Sequence, residues 1–436
     1  MSPSIHLPSF SREARNGRRR RRTAVALIAA LVIFTGAVSH GGGVAYAKTT
    51  TPADAVFYKD QWNLKAIRAH AVFSTEAEAK GSHPALVAVL DTGIDYNHPD
   101  LAGRVDLALS TSLIGLRVAP GSTCLTEPSA HETGVTPGVP EPGVPYGANR
   151  MRDPIEEEVV ADGEPGGHDF IDFHSHGTAV AGLIASNAQY LAGVTQQTKL
   201  FSVKVHGMGR QNCLSVYLAG VYDAVDKGAD VIHLSFPLEF NTDPANPAAG
   251  PAFPDAVGRI NAAFDYAHAH GTVLVAAAGN NTADLDQGTT FRFCEGSHVI
   301  CVSATGPTSA DAIEEPYWDQ FVANSNFGEA IDVAGPGGTA AVPVTLTCSL
   351  STRFGGAPQA PCRAGAKVWQ STGTSFGAAA TSGLAALVVR LTGSNDPAEI
   401  EAIIEGSADD LGTVGWDRFF GHGRINVKAA VGLALR

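Results

Sequence analysis

The chain has 436 residues, 44% of them hydrophobic and 17% charged, which supplies a large core and excludes a disordered chain. Its formal net charge is −13. That sign repels a phosphate backbone, so nucleic acid is not an expected partner.

The first element reads as an export signal. Arg18 to Arg22 form a basic run, Ala24 to Val38 an apolar core, and Ala45-Tyr46-Ala47 a small-x-small cleavage site. The apolar core is about 15 residues, short of the ~20 that span a bilayer, so residues 1–47 read as a removable signal rather than an anchor. This segment holds seven Arg and one Glu, so the remainder carries −19. A secreted, soluble monomer without membrane contact after cleavage is the expectation.

Beyond the signal, short β-rich runs alternate with helical stretches, the pattern of a parallel sheet with crossover helices. Leu86 to Leu90, Leu200 to Val205, Asp230 to Ser235 and Thr272 to Ala278 read as buried strands. Leu214 to Lys227 and Ala256 to His270 carry helical apolar spacing and stop at Gly228 and Gly271, each a residue suited to the position after a helix. Later helices are expected at Ser375 to Leu391, Pro397 to Glu405 and Asn426 to Leu435. Residues 106–167 are rich in Pro and Gly and carry Glu156-Glu157-Glu158; they read as a long surface insertion. Residues 338–366 read as a cross-linked loop or hairpin. With no convincing linker after residue 48, residues 48–436 are expected to form one catalytic domain.

All six cysteines lie beyond the signal, and an even count in an exported chain suggests disulfides. Proximity pairs Cys294 with Cys301 and Cys348 with Cys362, leaving Cys124 with Cys213. A metal cluster is the alternative, but no CxxC or HxxxH spacing supports it.

Four polar residues sit where chemistry is feasible, and each has an ordinary explanation. Asp91 directly follows the strand LVAVL, at the functional edge of a parallel sheet, yet could be a simple turn residue. His176, in Ser175-His176-Gly177-Thr178, opens the helical run Ala179 to Ala185; a lone His is more often structural. Its neighbour His174 is too weak a partner for a metal pair. Ser375 opens an apolar helix and could be only a cap, but a helix N-terminus also favours a developing oxyanion. Asn280 ends the strand VLVAAA, where an amide could donate to that oxyanion or merely shape a turn. Together they fit one mechanism. The imidazole takes the serine proton, the carboxylate fixes the imidazole, and the amide holds the oxyanion. The order Asp, His, Ser is the subtilisin order.

The chain resembles the subtilisin-like (subtilase) serine proteases over nearly all of its length beyond the signal. VAVLDTGIDYNHPDL, SHGTAVAGLIA, VLVAAAGNN and STGTSFGAAATSG resemble the family's Asp, His, Asn and Ser motifs. DAVFYKDQWNLKAI, VKV with ADVIHLS, NFGEAIDVAGPG and GHGRINVKAAV match in the same order. Four motifs in order form a far more specific signal than any one of them. The resemblance implies an α/β fold with a mostly parallel central sheet of about seven strands and helices on both faces. It implies a serine endopeptidase that needs no cofactor for chemistry and takes a protein or peptide substrate as an added strand. The substrate edges would lie near Val203 to Gly209, including Val205, and near Ser235 to Leu238. The primary pocket would be lined by Ala276 to Ala278, with Ala277 and Gly279 touching substrate, and by the segment Phe291 to Gly296.

The sequence also departs from the family pattern. Phe376 stands where Met is common, which removes an oxidisable thioether beside the serine. Gly377-Ala378-Ala379-Ala380 replaces Ala-Thr-Pro-His and puts local packing in question. Phe236-Pro237 follows Ser235 where a Gly usually pairs with substrate, and Pro cannot donate. Asp91 and His176 are 85 residues apart, longer than usual because of the insertion. Structural calcium, frequent in the family, would use Asp54 and Asp100, although the loop Ser186 to Gly193 is shorter than the one that supplies further ligands. Only a few residues separate Ala47 from DAVFYKD, so folding without a pro-segment is expected. A degenerate peptide-binding relative, an acid peptidase with Glu for His and a non-enzymatic acidic, disulfide-linked surface protein are the rival readings; SHGT at 175–178 argues against the second and the motifs against the third.

Overall fold

The computed structural model describes residues 51–74, 84–113, 168–206, 214–235, 239–243, 245, 255–288, 290–309, 318–353 and 359–436. These residues belong to a unit spanning Thr49–Arg436. The signal segment, most of the insertion, Cys124, Cys213, residues 207–209 and residues 236–238 lie outside the described residues.

Apolar and β-branched runs form the strands. In chain order they are β1 (Leu86–Asp91), β2 (Thr111–Ser112), β3 (Lys199–Lys204), β4 (Val231–Leu234), β5 (Phe240–Asn241) and β6 (Val273–Ala277). Then come β7 (Thr290–Phe291), β8 (Val299–Gly306), β9 (Gln320–Phe321), β10 (Val333–Pro336), β11 (Val344–Thr347) and β12 (Val368–Ser371). The main sheet has the order β10-β8-β6-β4-β1-β3-β2, with β9 added beside β8. Every pair along that path is parallel, and only β9 runs antiparallel. The expected sheet of about seven parallel strands is thus present.

The sheet is covered on both faces, which is why its strands are apolar on both sides. Val87 and Val89 of β1 pack into one core with the helices His176–Ile184 and Thr374–Thr392. Ala88 and Leu90 point the other way, into a second core with the helices Leu214–Asp226 and Ala256–Ala269. Both of these last helices end as read, with Gly228 at φ +77° and Gly271 at φ +79°. The helix Thr374–Thr392 has the length and apolarity of a membrane span, but 17 of its 19 residues are buried inside the protein.

That helix answers the packing question raised by its composition. Without the family's Pro it runs unbroken, and Ala378, Ala379 and Ala380 are fully buried. A Cβ on Gly377 would come within 3.0 Å of the Gly335 carbonyl, so small residues let the helix lie close against β10.

The expected hairpin is β11 paired antiparallel with β12, its second strand just beyond residue 366. Cys348 and Cys362 are joined at a Cα separation of 5.3 Å, and Cys294 and Cys301 at 4.8 Å. The third expected pair lies outside the described residues.

The strand order reverses between β1 and β4. The chain moves outward from β1 to β3, then returns to place β4 on the other side of β1. The carboxyl ends at such a switch point form a crevice where ligands bind. Asp91 ends β1, Ser235 follows β4, and Asn280 follows β6 by three residues.

Candidate active site

Asp91 is fully buried. A carboxylate there needs donors, because an unpaired buried charge costs several kcal/mol. It has three. The Thr92 N–H donates at 2.7 Å, the Ser235 hydroxyl at 3.0 Å, and Nδ1 of His176 lies 2.9 Å from both carboxylate oxygens. Burial alone would push the Asp91 pKa up. The His176 charge and hydrogen bond, with the Thr92 N–H, outweigh it and hold the carboxyl at about 2.

His176 is the first residue of its helix. Burial pulls the imidazole pKa down, and the Asp91 charge and hydrogen bond pull it up; the net shift is upward. Burial pushes the neighbouring imidazoles the other way. His206 and His233 are held at about 4, and His174 below its ordinary value. His176 is therefore the imidazole that Asp91 charges preferentially.

The helix start is fixed by a residue that the sequence reading passed over. The fully buried Asp172 accepts from the N–H groups of His174 at 2.8 Å, Ser175 at 2.9 Å and Thr178 at 2.9 Å, and from the Thr178 hydroxyl at 2.7 Å. It also takes the Thr92 hydroxyl at 2.9 Å, while Thr92 Oγ1 accepts from Gly177 N at 2.9 Å. Asp172 and Thr92 thus lock the strand end that carries Asp91 to the helix start that carries His176. An Asp just ahead of a helical run is a capping signal.

Ser375 lies in the first turn of its helix and is 7% exposed. Its hydroxyl donates to the Ser235 carbonyl at 3.2 Å. Phe376 packs beside it, with its ring 6.1 Å from that of His176. The Ser375 N–H, in the first turn, has no acceptor within its own helix.

Asn280 is held by the same helix start. Its Oδ1 accepts from the Thr374 N–H at 2.8 Å and the Thr374 hydroxyl at 3.2 Å, which leaves Nδ2 to donate outward. Gly279 takes φ +104°, and a Cβ there would strike the Asn326 amide at 2.4 Å, so this turn requires glycine. The buried Asn326 braces it. Nδ2 donates to the Ala278 carbonyl at 2.7 Å, and Oδ1 accepts from Asn281 N at 3.1 Å and Ala283 N at 2.8 Å.

At three of the positions expected to meet substrate, two on an edge and one at the pocket, backbone groups are engaged within the protein. Val203 is paired on both sides, by Leu90 of β1 and Thr111 of β2, so it is no free edge. The Val205 N–H is spent on the Asp91 carbonyl at 3.0 Å. The Gly279 N–H goes to the Thr374 hydroxyl at 3.1 Å, and its carbonyl accepts from Asn326 N at 2.9 Å. A strand interior and a braced turn spend their backbone groups within the protein. Of the other two expected substrate residues, Ser235 lies beside Ser375 and Ala277 ends β6.

Asp54 and Asp100 do not form a donor set for calcium. Asp100 is buried, and its carboxylate accepts three N–H groups, from Gln189 and Tyr190 at 2.8 Å and from Leu191 at 3.1 Å. Oxygens filled by donors do not suit a cation that wants six to eight oxygen ligands. Asp54 is exposed and takes the Thr51 hydroxyl. Among the described residues, the acidic groups close enough to share an ion are Asp332, Glu401 and Glu405 instead.

Residues 82–423 match the family described as the Subtilase family. The "Thermophilic serine proteinase" of Bacillus sp. (strain AK1) is 27% identical over 355 residues, covering 81% of this chain and 63% of its own length. Thermitase of Thermoactinomyces vulgaris is 24% identical over 395 residues, covering 87% of this chain and 99% of its own. The chain spans less than two thirds of the first of these relatives. Among solved structures, the epidermin leader peptide processing serine protease (EpiP) of Staphylococcus aureus superposes with a TM-score of 0.64 at 19% identity, covering 89% of this chain and 84% of that one. That likeness concerns the fold.

Proposed function

The chain belongs to the subtilase family, and from that premise we propose that it is a secreted serine endopeptidase using Asp91, His176 and Ser375, with Asn280 as oxyanion donor. The observation that carries this reading is Nδ1 of His176 at 2.9 Å from both oxygens of a fully buried Asp91, beside a serine at a helix start.

With Nδ1 tied to Asp91, the imidazole presents Nε2 as its free base. The Ser375 hydroxyl turns from the Ser235 carbonyl to Nε2, gives up its proton and attacks the peptide carbonyl carbon. The carbonyl π electrons move to oxygen. That oxyanion is met by Asn280 Nδ2 and the Ser375 N–H at the positive end of the helix. His176 then passes its proton to the leaving amine as the C–N bond breaks. A water attacks the acyl ester by the same route and frees Ser375.

Residues 1–47 act as the export signal and residues 48–436 as one peptidase domain in this reading. The partner is a protein or peptide, and the enzyme is a monomer. Purified protein and its Ser375→Ala variant, profiled on a peptide library, test it. Cleavage lost on substitution, with fluorophosphonate labelling of Ser375, is the expected result. Equal cleavage by both proteins overturns the assignment.

A further inference from the structure

One carboxylate near the reaction centre takes no part in the chemistry above. Glu239 stands shortly after Ser235 in sequence, and Asn281 directly follows Asn280. The Asn281 side-chain amide donates to Glu239 Oε2 at 3.3 Å. Glu239 is thereby in contact with the residue that follows Asn280.

Ser235 and Asn280 both touch the start of the helix that carries Ser375, the first through the Ser375 hydroxyl and the second through the Thr374 N–H. Ser235 holds the serine hydroxyl through its main-chain oxygen, and Asn280 supplies the oxyanion donor. A substrate side chain entering between Ser235 and Asn280 would meet the Glu239–Asn281 contact. Phe240 and Phe291 pair in the β5–β7 ladder next to the bridge, and Arg292 follows Phe291.

Arg292 Nη2 pairs with Glu239 Oε1 at 2.9 Å. The two ends of this ion pair differ in access. The Arg292 side chain is 8% exposed and the Glu239 side chain 37%. The guanidinium is also engaged by Glu295 at 3.5 Å, and Glu295 further accepts the Arg292 N–H at 2.9 Å. Buried and held from two sides, Arg292 does not offer itself to an acidic substrate side chain. The Glu239 carboxylate has given one lone pair to Arg292 and one, at long range, to Asn281. A carboxylate accepts at about four sites, so the outward pair remains open.

We propose that Glu239, anchored by Arg292 and Asn281, is a specificity-determining residue that selects a lysine or arginine as the substrate residue supplying the scissile carbonyl. This rests on the peptidase reading above. A charged donor meeting a pre-oriented carboxylate forms the stronger class of hydrogen bond. Without Arg292 the glutamate would have rotamer freedom to lose on binding. The net charge of −13 adds long-range attraction for cationic peptides.

The test compares kcat/KM for fluorogenic peptides that differ only at that residue, carrying Arg, Lys, Leu, Phe or Glu. The purified enzyme should prefer Arg and Lys over Leu by about tenfold or more, the range of one charged hydrogen bond. Glu239→Gln should cut the Arg-to-Leu ratio by about tenfold, and Glu239→Arg should move the preference toward the Glu peptide. An unchanged ratio in Glu239→Gln, with cleavage still abolished by Ser375→Ala, overturns the subsite and leaves the peptidase reading intact. So does a fall shared equally by all five peptides, which marks Glu239 as structural. Failure of the unaltered enzyme to cleave any peptide or to be labelled at Ser375 removes the peptidase reading and the subsite together.

Discussion

The Ser375 hydroxyl donates to the Ser235 main-chain oxygen at 3.2 Å, and in the proposed mechanism it must leave that acceptor for the His176 imidazole. Free catalytic serines often sit loosely and engage their base only with substrate bound. The basicity of His176 is therefore set chiefly by Asp91, with a smaller contribution from Asp172. Burial, the largest single influence, lowers the His176 pKa; the Asp91 charge and hydrogen bond, with the Asp172 charge, together raise it, and the net value lies above the ordinary 6.5. Turnover needs the neutral imidazole, so kcat/KM should fall as pH drops through a midpoint above 6.5. Asp91→Asn removes the raising charge and leaves burial, which moves that midpoint below 6.5 while kcat drops by about 10⁴. A midpoint unmoved by the substitution would contradict this account.

Asn326 should act as a positioning residue for Asn280. Its amide spans Ala278, Asn281 and Ala283, so the turn that carries Asn280 hangs on one side chain. Asn326→Ala leaves two N–H groups and a carbonyl without partners in a buried site, at about 1–3 kcal/mol for each group left unsatisfied. The expected result is a loss of kcat with little change in KM, because the oxyanion forms after substrate binds. Removing the donor itself, by Asn280→Ala, should cost about 100- to 1000-fold in kcat, a range measured for a member of this same family. If Asn326→Ala raises KM and spares kcat, the brace has another purpose.

The chemistry was more legible in the sequence than the supports around it. Asp91 could be read because a buried strand LVAVL runs straight into it, and Ser375 because an apolar helix begins there. Both signals are local. Asp172 and Asn326 work across long sequence gaps, Asp172 to Thr92 and Asn326 to Ala278, and nothing in their own neighbourhood announces the partner. Two of the longer strands of the main sheet were also passed over. β8 (Val299–Gly306) carries Cys, Ser and Gly among its apolar residues, and β10 (Val333–Pro336) is only four residues long and holds a Gly and a Pro. Burial on both faces of a parallel sheet makes strands of such residues where periodicity gives no cue. The pairing of Val203 with Thr111 was not legible for the converse reason, since the two-residue strand β2 has no visible pattern.

The loop after the helix His176–Ile184 should be indifferent to calcium. Asp100 serves as its backbone cap, and the carbonyls of Gln189 and Tyr190 accept from Val56 N at 3.1 Å and Phe57 N at 2.9 Å. The oxygens that could face a cation are thus occupied by N–H donors. Asp100→Asn would set an NH2 group against those donors and cost about 1–3 kcal/mol, lowering Tm equally in calcium and in chelator. A Tm difference between the two conditions that vanishes in Asp100→Asn would show a bound cation here.

Asp332 should make the enzyme less stable as the solution turns alkaline. It accepts the Cys301 N–H at 2.7 Å and faces Glu401 and Glu405, with oxygens of the three groups within 4.8 Å of one another. Burial, chiefly, and the two like charges push its pKa up to about 8, against the pull of the Cys301 N–H. For a carboxyl raised from 3.8 the folded state keeps a proton that the unfolded chain releases. The stabilisation is complete below 3.8 and erodes as pH climbs through about 8. Asp332→Asn retains an acceptor for Cys301 and carries no charge, so it should flatten the decline and raise Tm on the alkaline side by about 2–4 °C for each kcal/mol recovered. Melting curves from acid to alkaline pH decide the matter, because a decline that persists unchanged in Asp332→Asn must originate in other groups.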